Sequence, residues 1–324
     1  MNLPEVNMSD IKEKLTAEIK RLLSEDVVDV VFGFRKEDSP LRPQPAFFRT
    51  AEELSGLEYN GLCQNNLANY LPRYPKDTRI GIVVRGCESR SVNALVVEKQ
   101  HIRENLYLIG IPCHGIIDIK KIIRETGEEV SGFTETEDEV TVVVKGQELT
   151  FSRKDLLHDS CQRCVHPNPV DADILLADPL PEGNPDLIRQ PVEEFAALTK
   201  DERYAWFKKE SERCIRCYAC REACPMCYCA ECFVDHATPR WSESDISPAG
   251  TQAWHIIRAF HQTGRCVSCG ACERACPMDI KMTYLTDKLN QDMHDEYQFD
   301  TGMDHETQPP FASFNLDYKK RFVI

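Results

Sequence analysis

Two stretches of the chain carry cysteines at one shared spacing. Cys214, Cys217, Cys220 and Cys224 are followed by Pro225, and Cys266, Cys269, Cys272 and Cys276 by Pro277. Both read C-x2-C-x2-C-x3-C-P. Thiols in such numbers serve as disulfide halves, as zinc ligands or as ligands to inorganic iron–sulfur cubes. Zinc favours paired C-x2-C units with longer gaps, not a triple followed by C-P. Three thiolates two residues apart wrap a tight loop around one face of a cube. The loop cannot bend back far enough to supply the fourth ligand, and proline ends it while removing a backbone donor. The duplicated run points to two [4Fe–4S] cubanes and to one-electron chemistry.

Eight further cysteines lie outside the runs. Cys161 and Cys164 form a C-x2-C pair, and Cys87 and Cys113 sit at the ends of neighbouring predicted strands. These four are the candidate ligands of a third cube; the alternative is that Cys87 and Cys113 are small buried residues. Cys227, Cys229 and Cys232 follow Pro225 closely and with Cys63 make a fourth candidate set. A zinc site at Cys227, Cys229, Cys232 and His236 competes with it. His114, His255 and His261 are candidates for tuning or ligating a cluster, set against ordinary helix and loop histidines.

Composition narrows the function classes. A chain of 324 residues has room for two domains. The stretch Met1 to Asp10 has no basic segment followed by an apolar run, so reduced cytoplasmic thiols are expected. No stretch approaches 18 consecutive apolar residues, so no membrane span is expected. A net charge of -14 argues against nucleic acid as a partner. An iron–sulfur sensor acting on DNA is disfavoured for the same reason, with no DNA-binding motif or basic helix present.

The elements that must hold these thiols follow from periodicity. A helix is expected over 9–23, a strand over 27–34, a capping box at Thr50 and Glu53, and a helix near 67–71. The apolar run 80–84 predicts a buried parallel strand leading into Arg85, Gly86 and Cys87, then a helix over 89–101. A second such strand, 106–111, ends at Pro112, Cys113, His114 and Gly115. A helix over 118–128 and a hairpin of 140–145 with 148–151 complete an α/β domain over 1–165. Residues 166–200, rich in Pro and Asp, read as a linker. Helical spacing over 192–210 leads into the cysteine runs of a small helical and loop domain, 201–285. Residues 286–324 read as an acidic tail. The fold class is α+β or α/β, with ligands expected beyond the strand C-termini.

The cysteine runs resemble bacterial two-cluster ferredoxins, in which the fourth cysteine of each run ligates the other cluster. That resemblance implies crossed sets: Cys214, Cys217, Cys220 and Cys276 for the first cluster, and Cys266, Cys269, Cys272 and Cys224 for the second. Residues 20–175 resemble the beta-subunit family of deazaflavin (coenzyme F-420)-reducing hydrogenases and formate dehydrogenases. The likeness rests on 28–34, on Phe47 to Leu54, on Tyr59, Asn60 and Gly61, on 80–87 and 109–113, and on Cys161 to Cys164 with Asp171 and Asp173. The family carries cubanes and often FAD.

The resemblance implies an iron–sulfur electron-transfer subunit of a cytoplasmic multisubunit oxidoreductase with two to four [4Fe–4S] clusters. Its partners would be a catalytic hydrogenase or dehydrogenase subunit, a heterodisulfide-reductase-like flavoprotein, or ferredoxin. The alternative is a flavoenzyme that exchanges electrons with a deazaflavin, NAD(P) or ferredoxin at FAD. Arg42, Arg49, Arg85 and Arg90 would then be the candidate phosphate partners, against a reading of them as salt-bridge residues. Two features depart from the family pattern: the C-terminal position of the ferredoxin-like module, and Arg85-Gly86-Cys87 in place of a Gly-Thr-Pro-Cys-like turn.

Overall fold

The computed structural model describes residues 8–243 and 245–312. Its first helix, α1 (Met8–Ser24), buries Ile11, Leu15, Ile19 and Leu22 at helical spacing. The strands are β1 (Val30–Arg35), β2 (Gln44–Phe48), β3 (Ile80–Val84), β4 (Leu106–Gly110), β5 (Val130–Glu135), β6 (Glu139–Val144), β7 (Gln147–Ser152) and β8 (Ile174–Leu175). Five of them form one sheet in the order β2-β1-β3-β4-β8. β2 runs antiparallel to β1, and the other pairings are parallel. β3 is buried along its whole length, as its uninterrupted apolar sequence requires.

Register decides where the chemistry lies. Val84 pairs with Gly110, so the loops after β3 and β4 leave the sheet side by side. The first enters α2 (Gly86–Val97), which opens three residues earlier than its periodicity indicated. The second leads to α3 (Ile119–Thr126), where the Asp118 side chain accepts from the Lys120 N–H at 2.8 Å and Gly127 closes the helix at φ 62°.

A second sheet, β5-β6-β7, is antiparallel. The β6–β7 hairpin turns on Lys145 and Gly146, both at positive φ as a two-residue turn demands. β5 was not expected. A register shift between Val130 and Gly132 breaks its alternation.

After this sheet come α4 (Arg153–Leu156) and α5 (Asp159–Gln162), the latter carrying Cys161. The expected linker 166–200 is more structured than its composition suggests. It supplies the edge strand β8, too short to show a period, and α6 (Asp186–Ala197). The single helix expected over 192–210 is two: Thr199 and Glu202 form a capping box that starts α7 (Lys200–Glu212) afresh. The cysteine runs then enclose α8 (Ala219–Glu222), α9 (Pro248–His261) and α10 (Ala271–Arg274).

The stretch read as an acidic tail begins inside α11 (Thr283–Tyr297), which buries Thr286, Asp287 and Met293. Its buried face is half polar, so an apolar stripe was not visible. The remainder, 313–324, lies outside the described residues. Among the described residues no helix is long and apolar enough to cross a membrane.

One buried ion pair joins the sheet to its loops. Arg85 and Glu88 are 3% and 1% exposed and meet through two hydrogen bonds of 2.8 Å. The guanidinium also donates to the carbonyls of Cys63 and Asn65, and Glu88 accepts from the N–H groups of Arg85 and Leu67. Removing one partner strands the other charge in the core. Glu88→Ala is expected to cost ~3–5 kcal/mol, read as a lower denaturant midpoint.

Candidate iron–sulfur sites

The two cysteine runs adopt one backbone. Arg216 and Tyr218 in the first have φ of 53° and 60°; Ser268 and Gly270 in the second have 54° and 69°. Each pair of left-handed residues tightens the loop and leads into a single helical turn, α8 or α10, that carries the third cysteine. Such conformations cost on the order of 1–3 kcal/mol at a non-glycine residue and persist only where the surroundings enforce them. The same turn in both loops aims an N–H at the first sulfur. Arg216 donates to Cys214 Sγ and Ser268 to Cys266 Sγ, each at 3.4 Å.

The thiols gather across the duplication. Cys220 faces Cys214, Cys276 and Cys217, while Cys214 faces Cys276 and Cys217. Cys266 faces Cys269 and Cys224, and Cys272 faces Cys224 and Cys269. Cys276 therefore sits with the first triple and Cys224 with the second. Burial, then crowding by neighbouring thiols, pushes Cys266 up to about 12. Loading such a site must release protons and bring in positive charge.

Cys87, Cys113, Cys161 and Cys164 line one cavity of about 350 Å³. Cys87 stands in the first turn of α2, Cys113 follows β4, and the other two come from α5 and the residues after it. Backbone N–H groups of Gly115 and Ile116 donate to the sulfurs of Cys113 and Cys161 at 3.3 Å. A Cβ built on Gly86 would lie 2.1 Å from the His166 carbonyl oxygen, so only glycine lets the chain after Cys164 close over Cys87. Four thiols lining one half-open cavity, with amides aimed at two of the sulfurs, fit a cubane.

Cys63 does not line the cavity that Cys227, Cys229 and Cys232 share. It is wholly buried, its sulfur accepts from the Asn60 N–H at 3.4 Å, and burial raises its thiol to about 12. The other three line a separate cavity of about 340 Å³ with Arg221, Arg258 and Arg265. The four cysteines of the expected fourth set do not line one cavity: Cys63 lies in the sheet's core, where its sulfur accepts from the Asn60 N–H and its carbonyl from Arg85. Nor is the zinc alternative formed: among the described residues no three metal-binding side chains converge on a single-ion position.

The four arginines proposed for a flavin phosphate are likewise scattered. Arg42 and Arg49 are exposed, and Arg85 is fully engaged by Glu88 and two carbonyls. Arg90 donates to the Thr301 carbonyl at 3.0 Å and lines a cavity of about 540 Å³ with Cys87, Cys164 and Ser268. His114 lies beside Cys113 in the loop after β4, whereas His261 is exposed and packs edge-on against Phe233. His255 is buried, with Nε2 lacking a partner.

Sequence reasoning overlooked the contacts that join the halves. Glu98 binds Arg265 at 2.5 and 2.8 Å, Arg163 binds Asp287 at 3.1 Å, and Lys120 donates to the Cys276 carbonyl at 2.9 Å. Together they bring Cys269 onto the wall of the cavity that holds Cys87. It also gave no role to Arg258, which is buried among the thiols of both ferredoxin-like loops. Its spacing of four from the buried Trp254 on α9 was the available signal.

Comparison with known proteins bears on both halves. Residues 210–280 match the family model described as a 4Fe-4S dicluster domain. The chain is 25% identical to the F420-dependent formate dehydrogenase subunit beta of Methanocaldococcus jannaschii, over 92% of this chain and 93% of that protein. It is also 25% identical to the F420-dependent formate dehydrogenase 1 subunit beta of Methanococcus maripaludis, over 91% and 92%. Among solved structures it is similar to a chain of the xenon-derivatised F420-reducing [NiFe] hydrogenase complex of Methanosarcina barkeri. There the TM-score is 0.40 at 16% identity, covering 50% of this chain and 64% of that one. The likeness to formate dehydrogenase beta subunits runs through the C-terminal module as well, so its position does not set this chain apart from them.

Two histidines, His255 buried and His158 largely so, make the fold acid-sensitive. Burial, with Arg274 and Lys121 nearby, holds His158 down to about 3 from an ordinary 6.5. Burial, with Arg258 and Arg216, holds His255 down to about 4. Between pH 6.5 and 4 the unfolded chain takes up protons that the folded chain refuses, so stability falls as pH falls through that window. Denaturant midpoints measured from pH 7 to pH 4 should drop, and His158→Gln should flatten the drop.

Proposed function

We propose that the chain is an iron–sulfur electron-transfer subunit of a multisubunit oxidoreductase, with three cubane sites in series. Bound [4Fe–4S] clusters supply reversible one-electron transfer, and the protein positions them and excludes water. The crossed first set is Cys214, Cys217, Cys220 and Cys276; the second is Cys266, Cys269, Cys272 and Cys224; the third is Cys87, Cys113, Cys161 and Cys164. The observation that carries the order is Cys269, which belongs to the second set and faces Cys87 of the third. Cys217 is exposed, so the first set meets the surface opposite a redox partner. The third opens toward the cavity lined by Arg90, Arg163 and Arg189.

The names of the similar beta subunits support a formate-oxidising catalytic subunit as partner and deazaflavin F420 as the carrier at the far end. A second reading, FAD bound by this chain, is favoured by that same cavity. Its volume of about 540 Å³ is in the range of cofactor pockets and it adjoins Cys87 and Cys164. Phosphate contacts would then come from Arg90, with Arg163 and Arg189 shared with Asp287 and Asp295.

Anaerobically purified protein should contain about twelve irons, four per cubane. Gly86→Ala should lower this to about eight, because its Cβ forces the chain near His166 off Cys87. An iron content of about eight in the parent protein would remove the third site. FAD released on denaturation would establish the second reading, and its absence the first.

A further inference from the structure

Arg258 lies on α9 and is 5% exposed. One terminal nitrogen donates to the Cys220 carbonyl at 3.2 Å and the other lies 3.8 Å from Met282 Sδ. Nε has no hydrogen-bond partner, and among the described residues no carboxylate pairs with the guanidinium. The titratable groups facing it are His255 and four thiols: Cys220 of the first set, Cys224 and Cys272 of the second, and Cys227 beside them. An unpaired guanidinium buried in protein costs several kcal/mol. It is tolerated where negative charge stands opposite, and thiolates holding clusters in both sets would supply that charge from two sides.

We propose that Arg258 is a positioning residue whose charge is the common counter-ion of the first and second cubane sites, favouring the reduced state of both. The inference rests on the ligand sets proposed above. A reduced site carries one more negative charge than an oxidised one, so a fixed cation between two such sites raises the potential of each. It also weakens their mutual repulsion when both are reduced, which lets two electrons reside on neighbouring sites. Arg216 offers a contrast. It too is buried and has an unpartnered Nη1, but it faces Cys214 of the first set and spends its other nitrogens on Tyr218 Oη and the Glu243 carbonyl. Its influence is confined to one site.

The test is an EPR-monitored redox titration of the full anaerobic holoprotein, with iron counted on every sample. In Arg258→Gln, iron is retained and the midpoint potentials of both ferredoxin-type sites move negative. In Arg258→Lys, which keeps the charge, both return toward the parent values, while Arg216→Gln shifts one site only. Unmoved potentials in iron-replete Arg258→Gln overturn the inference. If Arg258→Gln sheds iron, the lysine variant decides. Iron retained with near-parental potentials supports the role of charge, and iron lost despite the charge overturns it. A parent protein without iron overturns the ligand sets and this inference together, whereas an iron-replete parent with unresponsive potentials overturns this inference alone.

Discussion

Thiolates repel one another, and burial sharpens the repulsion. Inside a protein the effective dielectric is far below that of water, so four such charges within one small space cannot persist without compensation. Twelve of the sixteen cysteines are gathered into three such spaces. The surrounding structure responds to that constraint. Left-handed turns aim N–H groups at sulfur in both ferredoxin-like loops, Gly115 and Ile116 do so in the third site, and a guanidinium is buried between the first two. Iron bound at these sites would supply the rest of the compensation and would tie folding of these loops to loading of the sites.

The sheet and the cysteine loops solve separate parts of the problem. Parallel pairing of β3 with β4 places two loop ends side by side, and Cys87 and Cys113 arrive there from strands that pack as ordinary core. The ferredoxin-like loops need no sheet, since each is shaped by its own turns. What neither supplies alone is the approach of Cys269 to Cys87. That depends on ion pairs between the halves, Glu98 with Arg265 and Arg163 with Asp287, and on Gly270, whose missing Cβ makes room for Ser160. Surface ion pairs contribute little, but these are largely shielded and several act together.

Legibility in the sequence followed the range of the forces involved. The cysteine runs were legible because a tight loop needs fixed spacing, and β3 and β4 because a two-sided buried strand is apolar throughout. The capping box expected at Thr50 and Glu53 is not formed: Thr50 makes no side-chain cap bond, and the Glu53 carboxylate accepts from the Arg49 N–H at 2.7 Å. The two-residue β8 was not legible, since its place comes from pairing with Ile109 and Gly110 rather than from any pattern of its own. α11 was hidden because it buries Asp287 against Ser268 and Arg163 and Thr286 on the Thr283 carbonyl, satisfying polar groups where a stripe of Leu or Val would have announced a helix. The arginines misled for a related cause: Arg85 resembles a ligand-binding residue in a loop, yet its partner Glu88 lies one helical turn away and consumes it.

The fate of Cys63 shows why counting thiols is weaker than locating them. Sixteen divides into four sets of four, but Cys63 is sealed in the sheet's core with its thiol held protonated, while Cys227, Cys229 and Cys232 line an open cavity among arginines. Cys227 lies against Cys224, so the second site has a spare thiol at its edge. Gln262 bridges the two, its amide donating to Cys227 Sγ at 3.4 Å and its carbonyl oxygen lying 3.7 Å from Cys224 Sγ. That bridge leaves the proton on Cys224 and favours the thiolate at Cys227, so what points Cys224 to the second set is its place beside Cys266 and Cys272 rather than hydrogen-bond polarity.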